Sequence, residues 1–398
     1  MLKCELKKII SKKINLIMLI AMFFLAIVFS CFAIGSMRYV DEEGITHTGI
    51  TASRRLAADR NRWEGSLTAE KFIEIVNNRK NVAKKYSGEI PDKEFGKSLQ
   101  SYDDIINFIA SISSPDSDYD EGVIYQLSEN QIKNLYTMYG QNIQKMIDEY
   151  GKTPEQKKFL TEQYEKIKMP LDYQAKDSWN TMAMYVETYG IVLAVIIGFL
   201  VSGIFSEEFR TGAETVFYAS KYGRSKAITN KIVAGLLMVT VVYWAGVGIL
   251  TLLSFGVMGT SGFSTPYQID QPYSIYSMTY GQYYFIMALC GYIASLFAAS
   301  LTMLVTAKMR TRNIAVCIPF FLYCMMPFIG RALSSFTTFF NLMPNVLLNI
   351  MESAKDPTIF QIGSIVFRQI PAVMLIYVIV SILLLPFVYR SYRRYGLK

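Results

Sequence analysis

Long apolar runs alternate with short polar segments over most of this chain. Six runs are long enough and poor enough in charge to be membrane-spanning helices, because about 20 apolar residues cross the hydrocarbon core of a bilayer. We number them spans 1 to 6, and the sequence places them at 14–34, 183–205, 232–258, 283–305, 314–330 and 370–389. The pattern predicts an all-α membrane protein built on a six-helix transmembrane bundle.

A long polar insert, residues 37–182, separates spans 1 and 2. Its apolar residues recur at helical spacing, and Ser128 with Gln131 forms a capping-box pattern. Thr153 followed by Pro154 is typical of a helix start. Signals for strands are weak. We therefore expect a mostly helical domain of four or five helices.

Lysine and arginine concentrate in four places: before span 1, between spans 2 and 3, between spans 4 and 5, and after span 6. With six spans all four lie on one side, and basic residues mark the cytoplasmic side of a membrane. We expect a multi-pass protein of the plasma membrane with both termini cytoplasmic. Residues 1–13 then form a cytoplasmic amphipathic interfacial helix, 390–398 a cytoplasmic tail, and 37–182 an extracytoplasmic domain.

Residues 332–368 are harder to place. The stretch 335–351 is apolar and uncharged, but Pro344 and two asparagines interrupt it. If it crossed the membrane, the basic tail 390–398 would lie outside and break the charge rule. We expect an extracellular re-entrant or interfacial hairpin of short helices packed against protein.

Several kinds of chemistry have no motif in this sequence. The phosphate-binding pattern G-x-x-x-x-G-K-[ST] does not occur, and His47 is the only histidine. The acidic stretch 116–122 lacks the glycine and glutamate that an EF-hand calcium loop requires at its positions 6 and 12. We expect no catalytic residue, cofactor or metal site in this chain.

The net charge of +8 does not indicate nucleic-acid binding, because the excess cations flank the apolar spans and form no single basic face. Inside the predicted spans the one notable ionisable residue is Glu187, near a boundary. Carriers driven by ion gradients bury carboxylates at membrane depth, and ion channels need polar or charged filters. The energy for any transport is therefore expected to come from another chain.

The loop between spans 2 and 3, residues 206–231, carries a distinctive mixture of acidic, aromatic and basic side chains. It predicts a short amphipathic helix between two bends, although an ordinary charged interhelical loop is the alternative. The candidate residues of this loop are Glu207, Glu208, Gly212, Phe217, Tyr218, Arg224 and Lys231.

At these positions the chain resembles the permeases of the ABC-2 family of ATP-binding-cassette transporters. A glutamate (Glu207 or Glu208), Gly212, Arg224 and Lys231 match the family's segment after its second span, and the six-span plan and basic start also agree. The sequence Lys221-Tyr222-Gly223 departs from the family, because many members carry a proline there.

The resemblance implies a cytosolic ABC ATPase subunit, a second permease copy and membrane lipid as partners. The ATPase would dock on residues 1–13 and on a coupling helix within 206–231, with Phe217 and Tyr218 as apolar anchors and Glu207 and Glu208 as a polar rim. The chain would then export an amphipathic substrate, such as an antimicrobial peptide, a lipid or a drug, without being an enzyme itself. Two alternatives remain: a membrane-anchored sensor whose insert binds a ligand or partner, and an enzyme acting on lipids.

Overall fold

The computed structural model describes residues 1–86, 90–114, 119–332 and 337–394. Six helices in this part are long and apolar enough to cross a membrane, as expected of a multi-pass helical membrane protein. Spans 1 to 6 comprise Lys13–Ser36, Asp177–Ser202, Lys226–Met258, Tyr280–Met309, Asn313–Gly330 and Gln369–Arg393. A short amphipathic helix, Leu2–Ile10, precedes span 1.

Span 2 differs most from its predicted bounds of 183–205. The helix begins at Asp177, because its first turns pack against span 3 and the loop that follows it: Trp179 is buried, its ring centroid lies 4.2 Å from that of Phe255, and its indole N–H donates to the Thr260 carbonyl. The helix ends at Ser202, three residues earlier than predicted. Tertiary contacts therefore extend the start of this span beyond the apolar run.

Span 4 is the most enclosed helix of the bundle. Its buried face is rich in alanine, glycine and serine, which let neighbouring helices approach closely. At Gly291 the hydroxyl oxygen of Tyr243 lies 2.3 Å from where a Cβ would stand, and the Tyr243 hydroxyl donates to the Ala288 carbonyl at 2.7 Å. Spans 2, 3 and 6 pack around this face.

Span 5 is helical but irregular, although one regular helix was predicted at 314–330. Its pieces are Asn313–Val316, Ile318–Phe320, a π-helical turn at Phe321–Met325 and Met326–Ala332. Pro319 contributes to the irregularity, because proline cannot donate a backbone hydrogen bond.

The insert is mainly helical, as predicted. In its described residues five helices exceed ten residues: Gly49–Arg60, Ala69–Lys85, Asp103–Ser113, Leu135–Tyr150 and Pro154–Tyr164. Shorter helical turns lie at Asn61–Trp63, Asp92–Glu94, Phe95–Leu99, Gln100–Tyr102, Glu121–Tyr125 and Glu129–Lys133. The capping box of Ser128 and Gln131 is confirmed, as is the helix start at Thr153. The acidic stretch 116–122 lies partly outside the described residues.

The insert also contains two short antiparallel strand pairs. Arg38–Val40 pairs with Thr46–Thr48, and Gly65–Ser66 pairs with Asp172–Tyr173. The second pairing joins the start of the insert to its end, so that the insert closes on itself directly before span 2.

The segment before span 6 contains the expected short helical turns, at Thr337–Phe340, Pro344–Leu348 and Ile350–Ser353. A β-hairpin that the sequence analysis did not predict then follows, Ile359–Ile362 with Ile365–Arg368, and leads straight into span 6. Residues 333–336 lie outside the described part.

Polar contacts between the loops place them in two groups, one at each end of the bundle. We call the group 1–12, 203–225, 310–312 and 390–394 the terminal end, because it holds both termini. The insert, the loop 259–279 and the segment 341–368 form the insert end. There the Tyr139 hydroxyl donates to the Pro272 carbonyl, and the Tyr164 hydroxyl donates to the Tyr273 carbonyl, both in the loop. The Thr153 hydroxyl donates to the side-chain oxygen of Gln361 in the β-hairpin at 2.9 Å.

Candidate functional site at the terminal end

Six of the seven residues singled out between spans 2 and 3 lie in the loop at the terminal end, and the seventh lies at the start of span 3. Glu207 and Glu208 open a helical turn, Glu207–Arg210, and Phe217 and Tyr218 belong to a short helix, Glu214–Ala219. Gly212 and Arg224 lie in the bends on either side. Lys231 is not in the loop: it sits inside span 3, more than one turn after the helix begins.

Lys231 is the centre of the site. Its side chain is only 1% exposed, and its ammonium donates to Glu208 Oε1 at 2.7 Å, to the Ile204 carbonyl at 2.9 Å and to Glu5 Oε2 at 3.2 Å. An ammonium has three N–H groups, so each finds an acceptor. The amino-terminal helix, the end of span 2 and the start of span 3 therefore meet at one buried cation.

Glu208 extends this cluster to the last span. Its Oε2 accepts a hydrogen bond from the Tyr392 hydroxyl at 3.1 Å, and Lys8 lies 3.6 Å from Oε1. Burial alone would raise the pKa of Glu208, but the nearby Lys231 outweighs it and lowers the pKa below the ordinary value. Glu208 is thus held as a buried, paired carboxylate.

Glu207 forms a second, more exposed set of ion pairs. Lys12 donates to its Oε2 at 2.7 Å, and Arg210 donates to its Oε1 at 2.5 Å. Burial acts to raise the pKa of Glu207, but the bonds from Arg210 and Lys12 dominate and lower it to about 2. We call Glu5, Lys8, Lys12, Glu207, Glu208 and Lys231 the ionic clamp.

Aromatic side chains close the site on its other side. The Tyr218 hydroxyl donates to the Tyr392 carbonyl at 2.9 Å, and the Arg224 guanidinium donates to the Arg393 carbonyl at 3.0 Å. Arg224 also lies over the Tyr218 ring at 4.8 Å from its centroid. The end of span 6 is thereby fixed to the loop.

Burial changes the roles that two of the candidates can have in this conformation. Glu208, expected in a polar rim around the ATPase contact, is buried within the chain, and so is Tyr218, expected as an apolar anchor. Phe217, the other expected anchor, is half-buried against Tyr392. The exposed apolar residue of the short helix is Val216, at 73%. The sequence pattern did not single out Val216, because one valine between larger aromatics carries no distinct signal.

Two glycines shape the bends of the loop. Gly212 has φ of +67°, a left-handed conformation that favours glycine. At Gly223 the carbonyl oxygen of Phe217 lies 1.8 Å from where a Cβ would stand, so only glycine fits. The chain therefore reverses at Gly223 without the proline that many ABC-2 permeases carry nearby.

The site connects several elements through ion pairs and hydrogen bonds. Its acids are paired with cations, and among the described residues no group of three His, Cys, Asp or Glu side chains could hold a metal ion. What the arrangement can do is couple the loop mechanically to the amino-terminal helix, to spans 2 and 3, and to span 6.

A second buried ionic network, at the insert end, was missed by the sequence analysis. Arg60 Nη1 lies 2.7 Å from Asp104 Oδ2 and 3.2 Å from Asp177 Oδ1, and Lys176 Nζ lies 2.7 Å from Asp270 Oδ1. We call these five residues the junction network. One signal was present: Asp270 is the only charged residue of the loop 259–281.

Asp104 joins the two halves of the junction network, because Lys176 Nζ also lies 3.3 Å from its Oδ2. Burial would raise the pKa of Asp104, but Arg60 and Lys176 lower it overall. The pKa of Lys176 is raised, since Asp270 and Asp104 outweigh the opposite effect of burial. Both groups therefore stay charged at neutral pH.

Comparisons with protein-family models, with curated proteins and with solved structures found no match to this chain. The class of protein is therefore defined by the fold alone: a helical protein of the multi-pass membrane type with six candidate spans. Any narrower function has to be argued from the site itself.

Proposed function

We propose that this chain is the permease subunit of an ABC-2 type transporter, driven by a separate cytosolic ABC ATPase subunit and working beside a second permease copy. The observation that carries the proposal is the ionic clamp. The loop resembling the family's coupling segment is tied through Glu208 to Lys231 of span 3 and to Tyr392 of span 6. A push on this loop would therefore act on two spans at once.

The charge pattern supports an orientation. Basic residues crowd the terminal end, so we place this end in the cytoplasm of a plasma-membrane protein, with residues 37–182 outside. The ATPase would then reach the amino-terminal helix and the coupling loop from the cytosol. Export of an amphipathic substrate fits this arrangement and the family resemblance.

The burial pattern supports a narrower proposal for the docking contact than the sequence does. Val216 is the exposed apolar side chain on the short helix Glu214–Ala219, while Tyr218 on its other face contacts the end of span 6. We propose that Val216 enters an apolar cleft on the ATPase and that Tyr218 passes the displacement inward. The ATPase would thus shift the population between two arrangements of the bundle.

The test begins with purification of the native complex from membranes and identification of any nucleotide-hydrolysing subunit. Val216→Asp should then abolish stimulation of ATP turnover by the permease, because a charge cannot enter an apolar cleft without a large desolvation cost. The matched control is Ile365→Asp, an exposed apolar residue of the β-hairpin at the insert end, which should keep full stimulation. Full stimulation with Val216→Asp, or a native complex without an ATPase, would refute the proposal.

A further inference from the structure

A cavity of about 610 Å³ lies at the insert end between span 2, span 5 and the segment 340–358. Glu187 of span 2 lines it, ten residues after Asp177 and fifteen before Ser202. The sequence places this residue near a boundary of span 2. A carboxylate on a spanning helix is costly when it is removed from water, and it normally marks a pathway or a binding site.

The charged side chains among the described residues of the cavity wall are all acidic. Glu352 and Asp356 line it together with Glu187, and no lysine or arginine is among the described residues of its wall. Lys355, outside the wall, pairs with Glu352 at 3.0 Å. Glu187 Oε2 accepts the backbone N–H of Met351 at 3.0 Å, but no cationic side chain among the described residues forms an ion pair with Glu187.

The rest of the wall is partly apolar. Ile191, Met326 and Phe340 contribute hydrocarbon surface, and the side-chain oxygen of Asn345 is buried without a hydrogen-bond donor among the described residues. Polar side chains line the cavity as well, but among the described residues no group of three His, Cys, Asp or Glu side chains is placed to hold a metal ion. The wall suits a molecule with one cationic N–H group and a hydrocarbon part.

We propose that this cavity binds the ammonium group of an amphipathic organic cation, with Glu187 as the acceptor. An ammonium supplies the positive charge that the described side chains of the wall do not provide, and a charge-assisted hydrogen bond to Glu187 fixes its position. The ligand's apolar part lies against Ile191 and Phe340. Binding of this ligand does not depend on the proposed function. Its export as the transported substrate would rest on the proposed function.

The test measures binding of two radiolabelled probes of equal chain length, dodecylamine and dodecanol, to the full chain in phosphatidylcholine nanodiscs. Binding to nanodiscs without protein is subtracted. The wild-type chain should bind the amine more tightly. Glu187→Gln should weaken amine binding roughly tenfold to a hundredfold, the size of one lost hydrogen bond to a charged group, and leave dodecanol binding unchanged. Glu162→Gln, the same substitution at an exposed position of the insert, should change neither.

Ile191→Trp provides a second variant, because the larger side chain fills the cavity and should weaken both probes. Adding phosphatidylethanolamine to the nanodiscs separates two sources of the ammonium: competition indicates a lipid headgroup, and its absence a soluble amine. Equal binding of the two probes, or full amine affinity in Glu187→Gln with an unchanged melting temperature, would overturn the proposal. These measurements need no ATPase, so failed ATPase stimulation with intact amine binding counts against the proposed function alone.

Discussion

At the scale of single residues, Lys231 shows how a charge is kept in an apolar setting. The ammonium is nearly inaccessible to water, and two carboxylates and a carbonyl replace its hydration. Such a group is stable only while its partners remain, because an unpaired buried charge is far more costly than a paired one.

Lys231→Met should therefore destabilise the bundle by roughly 3–5 kcal/mol, since Glu208 and Glu5 lose their buried partner. The measurement is thermal unfolding of the purified chain in detergent. Lys7→Met, at an exposed position of the amino-terminal helix, is the control and should shift stability by less than about 0.5 kcal/mol. The double variant Lys231→Met with Glu208→Gln should recover part of the loss; a Lys231→Met chain as stable as the wild type would contradict this account of the site.

The pairs of Glu207 should resist acid. Its pKa is lowered from 4.5 to about 2, so the stability that these pairs contribute is fully present above pH 4.5 and is lost as the pH falls towards 2. The distance between spin labels on Cys4 and on a cysteine at Ser220 should stay constant from pH 7 to about pH 4.5 and broaden below it. Glu207→Gln should show the broad distribution already at pH 7, and a wild-type transition near pH 6 would count against the assignment.

The sequence could identify several residues of the site at the terminal end more readily than their roles. Glu208, Tyr218 and Lys231 were all singled out, but as surface or loop groups, because amphipathic spacing does not reveal what packs on a short helix from elsewhere in the chain. Lys231 pairs with Glu5, 226 residues away along the chain, and Tyr218 bonds the carbonyl of Tyr392, 174 residues away. No local pattern contains such pairings.

At the scale of elements, the bend before the short helix Glu214–Ala219 depends on the backbone conformation of Gly212. Gly212 takes a left-handed backbone conformation, and a Cβ added there meets nothing within 4 Å. The effect of a substitution is thus a matter of backbone strain and not of packing.

Gly212→Ala should destabilise the loop by about 1 kcal/mol, because alanine avoids a positive φ. Gly140→Ala is a matched substitution in the helix Leu135–Tyr150, where the added Cβ likewise meets nothing; it should stabilise by about 0.5–1 kcal/mol. Thermal unfolding and limited proteolysis of the loop measure the two effects. Changes of the same sign in both variants would be inconsistent with the backbone explanation.

Elements with a strong local signal were predicted well, and elements set by distant contacts were not. The helices around Phe72 and Ile105 follow their apolar spacing, and these two side chains are fully buried. The predicted start of span 2 was wrong because Asp177 lies in a polar stretch, and its pairing with the distant Arg60 is not visible in the local sequence. The β-hairpin Ile359–Arg368 was overlooked, since its side chains do not alternate between polar and apolar.

At the scale of the whole molecule, the junction network ties the insert to the bundle. Asp104 belongs to the insert, and its partner Lys176 also bonds Asp270 in the loop between spans 3 and 4. The network therefore connects the insert to the start of span 2 and to the loop between spans 3 and 4.

Asp104→Ala should lower the free energy of unfolding by roughly 3–5 kcal/mol, because Arg60 and Lys176 lose a buried carboxylate. Asp148→Ala removes an exposed partner of Lys157 and should lower the stability far less, because water screens exposed ion pairs. Thermal unfolding compares the two variants in detergent. Equal losses in both would mean that the junction network contributes no more than a surface ion pair.

The hydroxyls of Tyr139 and Tyr164 donate hydrogen bonds to carbonyls of the loop 259–279. The insert therefore cannot be separated from the rest of the chain without losing these bonds. A fragment of residues 37–182 would lose the loop that covers Tyr139 and Tyr164, and Lys176 would lose Asp270. Such a fragment should be less stable than the insert in the full chain. The insert and the loop 259–279 therefore form one structural unit, so a swap between related proteins would need to exchange both pieces.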